Sequence, residues 1–387
     1  MIYLDNAAST PISDEVLQEM LPYLKENYGN PSSIHRFGRI TTKAIEAARR
    51  RVADLINAKP EEILFTSGGT ESNNTALMGV MQQKKGKRLV TSSIEHDAIL
   101  EPCKRLQKEG YDVVYLPVDN FGTVNMVVLK NSIADNTVLV SIMYGNNEVG
   151  TVQPIKEIAK ICKENNILFH SDAVQAVGKI PVDVNDLGVD LLSISSHKIN
   201  GPKGIGALYI REGVKIDPLI LGGGQESGMR SGTENVANIV GFGKACQLAK
   251  EDLQKNSSYL ASLRDHLIEK VTREISHVTV NGHRENRLPN NAHFTFLGVN
   301  GEDLIIKLDE NGIAASTGSA CSVRTQKASH VLAAMGFSHE QITGSLRLTV
   351  GTGNTKEEIN RTVDVLKSVV AELRSVSPFK TKYQFAT

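Results

Sequence analysis

The sequence carries no excess of either charge: its 387 residues hold 43 lysines and arginines against 43 aspartates and glutamates. Without a basic field, neither direct nucleic-acid binding nor adhesion to an anionic membrane is expected. Long apolar runs are missing as well; none approaches the ~20 residues that span a bilayer. The start, Met1-Ile2-Tyr3-Leu4-Asp5, has no basic stretch leading into an apolar core, so no secretory signal is expected. Cysteine is scarce and scattered, at positions 103, 162, 246 and 321, with no C-x-x-C and no paired His/Cys spacing. That argues against a structural zinc site and against a disulfide framework. The expectation left standing is a soluble, cytoplasmic, globular protein with a large core.

What is present is alternation. Between about residues 60 and 210, short β-rich runs (Ile63-Leu64-Phe65, Leu89-Val90, Val113 to Leu116, Val138 to Val140, Ile167 to Phe169, Leu191 to Ile194 and Ala207 to Ile210) alternate with helix-like segments. Nearly continuous apolar runs suit strands covered on both faces. The pattern predicts an α/β domain with a mainly parallel seven-stranded sheet and ligands at the carboxyl ends of its strands. After about residue 250 a long amphipathic helix, Leu253 to Ile275, leads to isolated short strands near Phe294 and Leu346. A last helix opens with Thr355 and Glu358 spaced as a capping box, followed by the stripe Ile359, Val363, Leu366, Val370 and Leu373. This part reads as a smaller α+β domain.

The chemistry concentrates where strands end. Lys198 closes the apolar run 191–195 through Ser196-His197 and precedes Gly201-Pro202-Lys203-Gly204. A lysine is ordinarily a solvated side chain, but one desolvated at a buried strand end is the nucleophile that forms a Schiff base with a carbonyl cofactor. Ser195 and His197 beside it offer donors to a phosphate. Asp172 ends another strand, in His170-Ser171-Asp172, with Gln175 on the same turn. Asp at such a place is most often a turn former; paired with Lys198, it suits the carboxylate that keeps a pyridinium nitrogen protonated. In Thr66-Ser67-Gly68-Gly69-Thr70-Glu71, a strand meets a helix start whose amides and Thr70 hydroxyl can cradle a phosphate, although the turn is no nucleotide-binding fingerprint. His96, after the strand at Leu89-Val90, is either a surface or helix-start residue or a catalytic imidazole that stacks on a cofactor ring and shuttles protons near neutral pH.

Three cysteines, Cys103, Cys162 and Cys246, fall in helical patterns and read as core residues. Cys321 falls instead in the small-residue loop Ser316-Thr317-Gly318-Ser319-Ala320-Cys321-Ser322, with Arg324 close enough to favour a thiolate. Arg347 alternates with apolar residues in Ser345-Leu346-Arg347-Leu348, where its planar fork can clamp a carboxylate. A polar, Gly-rich run, Gly222-Gly223-Gly224-Gln225-Glu226 to Thr233-Glu234-Asn235, connects elements or contacts a phosphate in a neighbouring subunit.

Taken together with Tyr3-Leu4-Asp5-Asn6-Ala7-Ala8, Gly29-Asn30-Pro31-Ser32-Ser33 and Asn146-Asn147-Glu148-Val149-Gly150, this constellation resembles the cysteine desulfurases of the NifS/IscS group. That group belongs to the class V aminotransferases, fold type I of the pyridoxal phosphate enzymes. The resemblance spans nearly the whole chain. It implies a large cofactor-binding domain over 13–255 and a small domain made of 1–12 and 256–387. It implies that Lys198 carries the pyridoxal 5'-phosphate imine, that Asp172 partners the pyridine nitrogen, that Gln175 and Asn147 contact ring substituents and that His96 stacks on the ring. Gly69, Thr70, Ser195, Ser196 and His197 would hold the phosphate, joined by Thr233 from the second subunit of a homodimer. Arg347, with Asn147, would bind L-cysteine, and Cys321 would take its sulfur as a persulfide, leaving alanine. No resident metal is implied, beyond transient ligation of an iron–sulfur cluster by Cys321.

Basic residues after Cys321, Arg324 and Lys327, and a chain ending at Phe385-Ala386-Thr387 depart from the group. They leave the sulfur acceptor open between an iron–sulfur scaffold and a tRNA-thiolating enzyme. The alternative activity is that of a selenocysteine lyase or another class V transaminase or lyase, with Cys321 incidental.

Overall fold

The computed structural model describes residues 1–84, 86–318 and 328–377. Cys321, Arg324 and Lys327 lie outside the described residues. The strands are β1 (Ile2–Tyr3), β2 (Ile63–Thr66), β3 (Arg88–Ser92), β4 (Asp112–Leu116), β5 (Thr137–Ser141), β6 (Leu168–Asp172), β7 (Leu191–Ser195), β8 (Gly206–Ile210), β9 (Val278–Val280), β10 (Asn291–Phe296), β11 (Ile313–Ala314) and β12 (Ser345–Thr349).

Seven of them form one sheet in the order β2-β8-β7-β6-β5-β3-β4. The block β4-β3-β5-β6-β7 is parallel throughout, whereas β8 runs antiparallel to both β7 and β2. The sheet is therefore mostly parallel and mixed at one side. Successive residues of a strand point to opposite faces. Val90, Val140, Leu192 and Ala207 join one buried cluster, while their neighbours Leu89, Leu139, Leu191 and Leu208 join another. Both faces are covered, which is why the sequence shows apolar runs rather than alternation. Helices Gly69–Gln83 and Asp97–Lys108 pack on the second cluster through residues such as Leu77, Met81, Ile99 and Leu106. Cys103, Cys162 and Cys246 are buried as the sequence predicts, and burial pushes their thiols up, that of Cys162 to about 12.

A separate core cluster gathers Ile2 and Leu4 with residues from Leu260 to Val370. Its antiparallel sheet has the order β12-β10-β9, and β1 pairs in parallel with β11. Helix Lys356–Ser375 starts with the reciprocal Thr355/Glu358 capping box, and Ile359, Val363, Leu366 and Val370 are its buried stripe. No helix among the described residues is long and apolar enough to cross a membrane.

Candidate active site

Since β8 alone is reversed, the chain leaves β2, β3, β5, β6 and β7 at one edge of the large sheet. A cavity of about 270 Å³ lies there, walled by Gly69, Thr70, His96, Asn147, Asp172, Gln175, Ser195, His197, Lys198, Gly318 and Arg347 among others. Of the described residues singled out from the sequence, only Ser196 and Thr233 lie elsewhere. Ser196 is fully buried with its Oγ turned towards Gly201. Thr233 is exposed and borders a different cleft, with Ser67, Arg230 and Glu234.

Lys198 ends the single turn Ser196–Lys198 that follows β7. Its Nζ donates to the carbonyls of Ala7 at 2.5 Å and Ala8 at 2.8 Å. The amino-terminal strip is stitched to this turn: Thr10 donates to the His197 carbonyl from both N–H and Oγ1, at 2.9 Å each. Gln175 reaches the same Ala7 carbonyl through Nε2 at 2.9 Å, and its buried Oε1 has no partner. Behind it, the buried Lys179 amine donates to the Gln175 carbonyl at 3.1 Å; burial, with Lys198 adding, pulls Lys179 down to about 7. Burial likewise pulls His197 down to about 4, helped by Lys198, Lys203 and Lys179, so its imidazole is neutral near pH 7.

Asp172 stands at the last residue of β6. Its Oδ2 accepts from Asn73 Nδ2 at 2.6 Å and its Oδ1 from the Val174 N–H at 3.0 Å. His96 caps helix Asp97–Lys108: its Nδ1 accepts the Ala98 N–H at 3.1 Å, which puts the neutral ring's proton on Nε2. Gly68, at φ +147°, takes the chain into helix Gly69–Gln83 in a conformation that favours glycine, and the first turn of that helix opens on the cavity. Next to His96, the fully buried Glu95 accepts from Ser92 Oγ at 2.6 Å and from the Met143 N–H at 3.0 and 3.1 Å. Burial still pushes its carboxyl up to about 8, with the Asp172 charge adding to the effect.

Arg347, 2% exposed, donates from Nη1 to the carbonyls of Asn147 and Gly318 and from Nη2 to Asp5 Oδ1, all at 2.8 Å. Its buried Nε has no acceptor among the described residues. The guanidinium is thus held by three of its five N–H groups, with Nε–H and one N–H of Nη2 left over.

The aminotransferase class-V family model matches residues 2–362. The cysteine desulfurase IscS of Dictyoglomus turgidum is 54% identical over 99% of this chain and 98% of its own length. That of Methanosarcina thermophila is 51% identical over 98% and 95%. The chain belongs to the cysteine desulfurases of the class V aminotransferase family. A solved NifS-like protein is 39% identical, with a TM-score of 0.91 over 96% of this chain and 99% of that one.

Several polar groups of this desulfurase cavity and its surroundings had no role in the sequence reading. Asn73, the Ala7 and Ala8 carbonyls, Asp5, Glu95 and Glu148 each hold a group that does line the cavity or sits directly behind it. Asp5, Ala7, Ala8 and Glu148 fall within the segments that carried the resemblance, and Asn73 is a buried polar residue in an otherwise apolar helix face. Those were the only signals.

Proposed function

We propose that this chain converts L-cysteine to L-alanine with pyridoxal 5'-phosphate as cofactor and receives the sulfur on Cys321 as a persulfide. The observation that carries the reading is the meeting of Lys198, Asp172, Gln175, His96 and Arg347 in one cavity.

The residues suit that cofactor. The unpartnered, buried Oε1 of Gln175 offers an acceptor inside the wall, and Gly69 abuts Val174 so closely that a side chain there would strike it. The first-turn amides at Gly69 and Thr70, with Ser195 and His197, would hold the phosphate. Asp172 would face the pyridine nitrogen, Asn147 and Gln175 the ring substituents, and His96 one face of the ring. When bound, the cofactor withdraws electrons from the substrate's carbons, which makes carbon–sulfur cleavage accessible.

The chain's own groups supply the rest. Arg347 presents its Nε–H to the cysteine carboxylate, in a frame fixed by Asp5, Asn147 and Gly318. Lys198 Nζ takes up and returns the Cα proton, with the Ala7 and Ala8 carbonyls orienting it when it is disengaged. The Cys321 Sγ loses its proton and bonds to the substrate sulfur while the bond from that sulfur to Cβ breaks; the electron pair of that bond stays on carbon, and Cβ takes up a proton to become the methyl group of alanine. The products are alanine and a Cys321 persulfide, with atoms conserved. Gly318, which lines the cavity, is three residues from Cys321, a span of about 10 Å of extended chain. Thr233, exposed on its own protomer, is free to complete the phosphate site of a partner in a homodimer. An acceptor protein, either an iron–sulfur scaffold or a tRNA-thiolating enzyme, then takes the sulfur. The test is sulfide and alanine release from cysteine by wild type and Cys321→Ala. The variant is expected to stay yellow and release no sulfide, and undiminished release rejects the reading.

A further inference from the structure

Next to His96, a buried carboxyl group completes a strand ladder that the backbone leaves unfinished. Strands β3 and β5 run in parallel, and their last registered pair is Thr91 with Ser141. Beyond it the chain of β5 keeps its ladder on the β6 side: the Ile142 N–H donates to the His170 carbonyl at 3.1 Å and the Tyr144 N–H to the Asp172 carbonyl at 2.8 Å. The N–H of Met143, between those two, is left for the β3 side, where β3 has already ended at Ser92. Glu95, fully buried, meets that N–H with both carboxyl oxygens, at 3.0 and 3.1 Å, while its Oε1 lies 2.6 Å from Ser92 Oγ. Asn146 Nδ2 ties the same two stretches again by donating to the Ile94 carbonyl at 3.0 Å. The Glu95 carbonyl, in the peptide unit that leads into His96, accepts from His330 Nε2 at 2.9 Å. One stretch thus runs into His96 and the other into Asn147, and His96, Met143 and Asn147 all line the cavity.

This bridge calls for an acceptor and a hydroxyl partner, and charge adds nothing to it. The titratable groups around the carboxyl are Asp172, Cys103, His96 and His330, and among the described residues no lysine or arginine pairs with it. Burial, with Asp172 adding, raises Glu95 to about 8, so near pH 7 it holds a proton. In that form the carboxyl O–H donates to Ser92 Oγ and the other oxygen accepts the Met143 N–H. A glutamine amide offers the same pattern, one N–H and one oxygen. An apolar side chain would leave a buried backbone N–H without a partner.

We propose that Glu95 is a positioning residue: its carboxyl joins the stretch that runs into His96 to the stretch that runs into Asn147, and so sets the spacing of those two side chains in the cavity wall. It does this as an uncharged acid. The inference rests on the reading of the cavity as the cofactor site. An ionised Glu95 would place a second negative charge near Asp172 and oppose an anionic cofactor.

The test compares full-length wild type, Glu95→Gln and Glu95→Leu. The readouts are hydrogen exchange at the Met143 amide in the cofactor-free chain, the dissociation constant of pyridoxal phosphate, and the visible circular dichroism of the bound cofactor, which reports how its ring is held. Glu95→Leu fills the space without an acceptor; it is expected to speed Met143 exchange about tenfold, to weaken cofactor binding about tenfold and to change the dichroism. Glu95→Gln is expected to match wild type near pH 7, within about twofold in exchange and binding and with the same dichroism. From about pH 7 to about pH 9.5, as Glu95 ionises, the wild-type dissociation constant is expected to rise at least about threefold relative to that of Glu95→Gln. A glutamine variant no better than leucine, a leucine variant equal to wild type, or a ratio flat across that range overturns the proposal. Weakened binding in Glu95→Leu with unchanged Met143 exchange overturns it too, since the loss then arises elsewhere. Should Glu95→Leu fail to fold, wild type against Glu95→Gln across pH decides. If wild type takes up no pyridoxal phosphate, the functional reading fails, and Met143 exchange still reports whether Glu95 bridges the two stretches.

Discussion

Asn73 and Asp172 lie 99 residues apart and meet at 2.6 Å, the amide of one donating to the carboxylate of the other. Helix Gly69–Gln83 brings Asn73 across the edge of β6, so the carboxylate is held by a side chain on one oxygen and by the Val174 N–H on the other. Asn73→Ala removes one of two restraints on a buried charge, a loss of about 1.5–3 kcal/mol for a hydrogen bond to a charged group. The cofactor's dissociation constant is expected to rise at least tenfold, roughly, by that measure. Spectrophotometric titration of the apoprotein with pyridoxal phosphate measures it, and an unchanged constant contradicts the assignment of Asp172.

Lys198→Ala is expected to abolish turnover to within assay limits, a fall of about a thousandfold or more, since it removes both the nucleophile and the proton carrier. Added cofactor will still bind through Asp172 and the first turn of helix Gly69–Gln83, without the visible band that a lysine imine gives. Retention of that band after substitution contradicts the role.

Arg347 serves the fold and the substrate together. Arg347→Leu strands Asp5 and two carbonyls in a buried place and is expected to cost about 3–5 kcal/mol, read by urea denaturation. Arg347→Lys keeps the charge but loses the fork, so the folded variant is expected to show a KM for cysteine raised about tenfold or more, with a smaller effect on kcat. An equal fall in kcat and kcat/KM contradicts a carboxylate-binding role.

Glu95 carries a pH dependence of known sign. Its folded carboxyl, raised to about 8 from an ordinary 4.5, binds a proton that the unfolded chain releases at lower pH. Its contribution is therefore fully present below about pH 4.5, declines as pH rises and is gone above about 8. Glu95→Gln is expected to unfold with a flatter pH dependence than wild type over that window and to gain relative stability at its alkaline end. Paired denaturation curves check this; parallel pH dependences would contradict it.

All seven strands of the large sheet were legible because both faces are buried, which leaves runs such as Val138 to Val140 unbroken by polar residues. The reversal of β8 was not: Ala207 to Ile210 is as apolar as its neighbours, and direction is set by the short turn that returns the chain after Lys198. Lys198, Asp172 and His96 could be found at strand ends, where a charged residue next to a buried run is conspicuous. Asp5, Ala7 and Ala8 could not be found on chemical grounds. They act from the far end of the chain, and two of them act only through backbone carbonyls, which carry no side-chain signature. Glu148 and Asn73 were hidden for a different reason: their partners, Ser329 and Asp172, are distant in sequence and meet them only in the folded chain.

The central claim is that sulfur leaves cysteine for the thiol at position 321. Intact-protein and peptide mass spectrometry after a brief exposure of the holoprotein to L-cysteine tests it most directly. The account predicts one additional sulfur atom, on the peptide containing Cys321, reversed by a thiol reductant and absent in Cys321→Ala. Alanine formed with no sulfur on that peptide, or sulfur found on Cys103, Cys162 or Cys246 instead, would contradict it.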